Sequence, residues 1–128
     1  MAKILIVDDE RDIVLVLRTL LTSNGYEVRE ASNGLAGLKM FQSQFFDLVI
    51  TDLRMPTMDG MSFLREVKQL DPVTPVIILT AYTSLETAAE ARERGALIYM
   101  GKPFQIDELL SVVNRAVSKN KGSAAALA

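Results

Sequence analysis

The chain has 128 residues, 49% hydrophobic and 23% charged, with no Cys and no His, which fits one ordinary globular domain able to bury a core without disulfides. Without Cys and His there are no disulfides, thiolate or imidazole metal ligands, Cys nucleophiles or His-based triads. A formal net charge of -2, from 14 basic and 16 acidic residues, excludes a global field that would draw the chain to nucleic acid or an anionic membrane.

Met1-Ala2-Lys3 leads straight into an apolar run with no signal-peptide layout, and no apolar run is long enough to span a bilayer. The expectation is a soluble, cytoplasmic protein. Residues 4–7 form the first β-branched, unbroken run, as expected of a strand covered on both faces. A helical period follows, with Ile13, Val16, Leu17, Leu20 and Leu21 on one face and Asn24-Gly25 as its stop. A weaker strand at 27–31 leads to a second helix bearing Leu35, Leu38 and Phe41 on one face. The third strand, 48–50, is followed by a helix with Phe63, Leu64 and Val67, and Pro72 and Pro75 separate that helix from a fourth strand at 76–79. A helix near 84–94 stops at Gly95, a weak strand covers 97–100, and a last helix covers 105–119. This fivefold (βα)5 alternation predicts an α/β fold, a doubly wound parallel sheet with helices on both faces. The domain is placed at residues 1–121. Gly122-Ser123 is expected to interrupt the last helix, leaving 122–128 as a natural tail, the start of a linker, or an expression scar.

In such a sheet the carboxyl ends of all strands share one edge, and ligands bind there. Asp8 and Asp9 follow the first strand, Asp52 the third and Thr80 the fourth, and Lys102 lies just beyond the fifth. Singly, each has an ordinary reading: Asp9 and Asp12 suit a helix start, Thr80 suits a strand, and a lone Lys is usually solvated. Together they place three carboxylates at adjacent strand ends, where mutual repulsion calls for a cation or a bound proton. An all-oxygen donor set suits Mg²⁺. With Lys102 opposite the metal and a Thr hydroxyl between them, the site suits the oxygens of a phosphoryl group. No glycine-rich phosphate loop occurs, because Asp8-Asp9-Glu10 stands where nucleotide folds place glycines. Two chemistries remain open at this point: a carboxylate that accepts the phosphoryl group as an acyl phosphate, or a carboxylate site that hydrolyses a bound phosphate.

Over residues 3–119 the chain resembles the receiver domain of two-component response regulators. The resemblance rests on Ile4-Leu5-Ile6-Val7-Asp8-Asp9-Glu10, on Asp52-Leu53-Arg54-Met55-Pro56-Thr57-Met58-Asp59-Gly60, on Thr80-Ala81-Tyr82 and on Lys102-Pro103-Phe104. It implies that Asp52 is the phosphoacceptor, that Asp9 and Asp52 ligate Mg²⁺ directly and Asp8 through water, and that Arg54 gives its backbone carbonyl to the metal. Thr80 would move to bond the phosphoryl oxygen, with the Ala81 N–H beside it and Lys102 contacting the phosphoryl group. Tyr99 would be the aromatic whose rotation follows Thr80. Also implied are the strand order 2-1-3-4-5 and a cis bond between Lys102 and Pro103. Asp59 also suits a helix N-cap before Gly60, and Met55 and Met58 suit loop anchors.

The expected function is a signalling switch, a regulator rather than an enzyme, phosphorylated on Asp52 by a sensor histidine kinase or a histidine phosphotransfer protein. The fourth helix, fifth strand and fifth helix would form the output face toward an output domain or downstream protein, without direct contact to nucleic acid or membrane. The alternatives are a small Mg²⁺ phosphohydrolase of haloacid dehalogenase type, which requires Asp-x-Asp after its first strand, and a phosphorylation-independent interaction module.

Overall fold

The computed structural model describes the backbone of residues 1–127 and the side chains of residues 1–118. Strands and helices alternate along the chain: β1 (Lys3–Val7), α1 (Arg11–Ser23), β2 (Glu27–Ala31), α2 (Gly34–Ser43), β3 (Leu48–Thr51), α3 (Gly60–Leu70), β4 (Val76–Thr80), α4 (Leu85–Glu93), β5 (Ile98–Gly101) and α5 (Ile106–Leu127). All strand pairs are parallel and the order is β2-β1-β3-β4-β5, as the resemblance implies.

The period of two along each strand divides the core. Ile4 and Ile6 of β1, Leu48 and Ile50 of β3, and Ile77 and Leu79 of β4 pack with Leu17 and Leu21 of α1 and Leu109 and Val113 of α5. Leu5 and Val7, Val49, and Val76 and Ile78 pack on the opposite face with Leu38 of α2, Phe63, Leu64 and Val67 of α3, and Ala91 of α4. Burial on both faces explains why these strands read as unbroken apolar runs.

Two helix faces differ from the expectation. Val16 is exposed, because it lies about 100° around α1 from the buried Leu17, whereas Val14, about 60° to the other side of Leu17, packs against the core. Leu35 is exposed because α2 settles on its glycine side, where a Cβ on Gly37 would meet Val7 Cγ2 at 2.8 Å. The fifth helix also runs further than the expected end at 119, passing Gly122-Ser123 to Leu127. The cost of one glycine is set against three consecutive alanines, the strongest helix formers. The proposed tail falls on residues whose side chains, and for Ala128 the backbone too, lie outside those described. Among the described residues, no helix is long and apolar enough to cross a membrane.

Gly60, the first residue of α3, shows how the fold supports the edge above it. A Cβ there would stand 2.1 Å from the Asp52 carbonyl oxygen and 2.6 Å from the Leu53 Cα, so only glycine lets α3 start against this backbone. Replacing Gly60 with Ala should cost about 1 to 3 kcal/mol, the usual penalty of forced overpacking. A urea midpoint unchanged from wild type would contradict that contact.

Candidate functional site

The ladder hydrogen bonds continue one residue past the strands and fix the residues that follow them. Val7 and Thr51 are register partners, so Asp8 and Asp52 emerge side by side, with Asp52 N–H donating to Val7 O at 3.0 Å and Asp8 N–H to Ala31 O at 3.1 Å. Lys102 N–H donates to Thr80 O at 2.9 Å, and the Lys102-Pro103 bond is cis as the resemblance implies. The strand order reverses direction between β1 and β3, so these residues surround the switch point where α/β sheets bind ligands.

Strand parity then decides what meets. Ile6, Ile50 and Met100 all face the core under α1 and α5, and two residues on from each stand Asp8, Asp52 and Lys102. Lys102 Nζ donates to Asp8 Oδ2 at 2.8 Å and to Asp52 Oδ2 at 3.0 Å, and its third partner is Glu10 Oε1 at 2.8 Å. Asp52 Oδ1 is pinned by the Leu53 N–H at 2.6 Å and the Arg54 N–H at 3.4 Å. Burial pushes the Asp8 carboxyl above its ordinary value and the charge on Asp52 adds to this, while bonds from Lys102 and the Glu10 main chain oppose it. Burial alone would lower Lys102, but its bonds to Asp8, Glu10 and Asp52 outweigh that and raise it above its ordinary 10.5. Its charge is therefore kept throughout the neutral range.

Glu10 is the member of this cluster that the sequence reading did not single out. It is the N-cap of α1, extended at φ -86° and ψ 105°, three residues past the end of β1 and just after a bend at Asp9, and its N–H donates to Asp8 Oδ1 at 2.9 Å. Ligand atoms of Asp8, Glu10 and Asp52 all lie within 4.8 Å of one another. Asp9, between them, is exposed and stands outside that group. It lines the adjoining cavity of about 490 Å³ together with Glu10, Asp52, Arg54, Thr80, Ala81 and Tyr82. The signal for Glu10 was available in the sequence as Asp8-x-Glu10 after a strand.

Thr80 and Tyr99 belong to the opposite parity. Thr80 pairs with Gly101 and Ile78 with Tyr99, so Thr80 and Tyr99 are diagonal neighbours toward α4. Thr80 is buried, and its Oγ1 accepts the Tyr82 N–H at 3.2 Å. The half-buried Tyr99 donates its hydroxyl to the Tyr82 carbonyl. Tyr82 is thereby held at both ends of its own backbone unit, and the Arg54 guanidinium lies 4.1 Å from its ring centroid. Asp59 caps α3, its Oδ1 accepting the Ser62 N–H at 2.8 Å, and Met55 and Met58 pack against the core beneath α2 and α3.

Three carboxylates against one ammonium leave two negative charges uncompensated at an all-oxygen cluster. That balance fits a hard divalent cation such as Mg²⁺.

Comparison with known proteins agrees with this geometry. The chain is 44% identical over 115 residues to the transcriptional regulatory protein ZraR of Escherichia coli (strain K12), an alignment covering 90% of this chain and 26% of ZraR. The chain thus spans about a quarter of the length of the curated relatives it matches. A receiver domain protein from Clostridium thermocellum superposes with a TM-score of 0.88 at 40% identity, covering 94% of this chain and 98% of that one. NtrX from Brucella abortus superposes with a TM-score of 0.90 at 33% identity, over 98% of this chain and 29% of NtrX. Since the model of the response regulator receiver domain matches residues 4–114, which include every element that builds the acidic edge, the chain belongs to the receiver domain family of response regulators.

Proposed function

We propose that Asp52 accepts a phosphoryl group from a sensor histidine kinase or a histidine phosphotransfer protein, and that the chain acts as a regulator through the change this produces. The observation that carries the reading is the buried Lys102 ammonium, which draws Asp8 and Asp52 together beside an open cavity at the carboxyl edge of the sheet. An Asp52 carboxylate oxygen forms the O–P bond as the donor's P–N bond breaks, and the electron pair passes to the imidazole nitrogen. The main-chain N–H groups of Leu53 and Arg54 hold the Asp52 side chain in a single orientation for attack.

Asp8, Asp9 and Asp52, with the Arg54 carbonyl, would hold Mg²⁺, whose charge when bound offsets that of the phosphoryl oxygens. Lys102 supplies the protein's own positive charge to the same oxygens. Once the group is attached, Thr80 Oγ1 turns to bond it, with the Ala81 N–H beside it, and so releases the Tyr82 N–H. Tyr82 then loosens its hold on Tyr99, and the face of α4, β5 and α5 changes toward an output domain or downstream protein. The relatives named as transcriptional regulators support an output in transcription, reached through an output domain or a downstream protein. We place the functional unit at residues 1–121 and in the cytoplasm. The phosphohydrolase alternative is not favoured by the family match.

The test is incubation with acetyl phosphate, followed by intact mass and peptide mapping. One base-labile phosphoryl group should appear on Asp52, only with a divalent cation present. Millimolar Mg²⁺ alone should raise the melting temperature, since a ligand at a hundred times its Kd stabilises by about 2.7 kcal/mol. No phosphoryl group, or one on another residue, overturns the reading.

A further inference from the structure

The Lys102 ammonium has three N–H donors, and in the resting site all three are taken. A phosphoryl group arriving on Asp52 brings three oxygens, and Lys102 can serve them only by releasing one partner. The three partners are not equivalent. The Asp8 and Asp52 side chains are 3% and 6% exposed, whereas the Glu10 side chain is 55% exposed. An exposed carboxylate that loses its partner is rehydrated at once, and such pairs contribute little net energy. A buried carboxylate that loses its partner pays the desolvation cost in full. The cheapest bond to break is therefore the one to Glu10.

We infer that Glu10 is a releasable counter-ion for Lys102, holding one N–H of the ammonium in the resting site and surrendering it as the phosphoryl group is attached to Asp52. Glu10 is a positioning residue in this account, because it acts through Lys102. Holding the ammonium between Asp8, Asp52 and Glu10 keeps it aligned, but it also makes acceptance wait on the release of one contact. The inference rests on Asp52 being the phosphoacceptor.

The experiment uses acetyl phosphate at saturating Mg²⁺, in which Asp52 forms an O–P bond while the P–O bond to the acetyl group breaks and acetate leaves with the electron pair. Initial rates are compared for wild type, Glu10→Ala, Lys102→Ala and the double variant, with melting curves to confirm that each is folded. Glu10→Ala should accept the phosphoryl group about two to five times faster, the range of an exposed ion pair. In the Lys102→Ala background the same substitution should change nothing, because the contact it removes is already gone. An acceleration that persists without Lys102 would mean that Glu10 merely repels an anionic donor, and the inference fails. No change, or slower acceptance, in Glu10→Ala also overturns it. If wild type itself gains no phosphoryl group, it is the phosphoacceptor reading that fails. The two failures are therefore told apart by the wild-type reaction. A second readout needs no reaction: in metal-free protein the ¹⁵Nζ resonance of Lys102 should shift in Glu10→Ala, and an unmoved resonance would show that the contact is not made.

Discussion

Asp52→Asn is expected to lose phosphoryl acceptance by on the order of a thousandfold or more, because an amide oxygen is a poor nucleophile and no other carboxylate in the cluster is held as Asp52 is. Asp8 is buried but its Oδ1 accepts the Glu10 N–H at 2.9 Å and its Oδ2 is bound to Lys102, and Glu10 lies on the exposed side. The same substitution should stabilise the fold by about 1 kcal/mol. It removes one of two excess negative charges and leaves Asn Oδ1 able to accept the Leu53 N–H. Acid-quenched intact mass after acetyl phosphate treatment reads the first effect and a urea midpoint reads the second. Phosphorylation at the wild-type rate in Asp52→Asn would place the acceptor elsewhere, and a loss of stability would mean that attraction to Lys102 outweighs repulsion among the carboxylates.

Most of the fold was legible because both periodicities were clean. Apolar runs at 4–7, 48–50 and 76–79 became β1, β3 and β4 with at most one residue added, since strands buried on both faces carry no polar alternation that would blur their ends. The weak strand expected at 97–100 forms one residue later, as Ile98–Gly101, with Leu97 exposed although its N–H pairs with Val76 O. What periodicity did not reveal was helix rotation. On α2 the pattern Leu35, Leu38 and Phe41 marks an apolar stripe, but Gly34 and Gly37 lie on its flank. Backbone that can approach closely there outweighs one leucine at the other edge. The extent of α5 was missed for a similar reason, with glycine read as a stop although it costs only about 1 kcal/mol within a helix.

The convergence of Asp8, Asp52 and Lys102 was readable from topology, since all three follow strands at one edge of the sheet. Strand parity sharpens that reading. Ile6, Ile50 and Met100 share a core, so the residues two beyond each share a side, and Thr80 with Tyr99 falls on the other. Asp9 lies outside the resting cluster and lines the adjoining cavity with Asp52 and Arg54. The chain bends at Asp9, and Glu10, whose N–H donates to Asp8 Oδ1, is the residue that returns to the cluster. The position of Arg54 over Tyr82 joins two loops far apart in sequence, and no local pattern announces it.

Lys102→Met is expected to destabilise the fold by about 3 to 5 kcal/mol at neutral pH, although methionine matches the length of the lysine stem and leaves little cavity. The Lys102 side chain is 6% exposed and is bonded to two carboxylates as deeply buried as itself, so removing its charge strands Asp8 and Asp52 against each other. The penalty should depend on pH in a definite direction. Burial already raises Asp8 above its ordinary 3.8, and without the opposing Lys102 bond it rises further. A carboxyl whose folded value is raised is neutral in both states below its ordinary value, so the penalty is absent there. It grows as pH rises, and reaches its full size once pH passes the raised folded value. The difference in urea midpoint between Lys102→Met and wild type should therefore shrink toward acid pH and widen toward neutrality. Adding Asp8→Asn to Lys102→Met should recover most of the neutral-pH loss, and millimolar Mg²⁺ should recover part of it, because both relieve the same excess of negative charge. A loss that is equal at acid and neutral pH, and that neither Asp8→Asn nor Mg²⁺ restores, would show that Lys102 serves the fold through its packed stem, and that the ion cluster does not hold the edge of the sheet together.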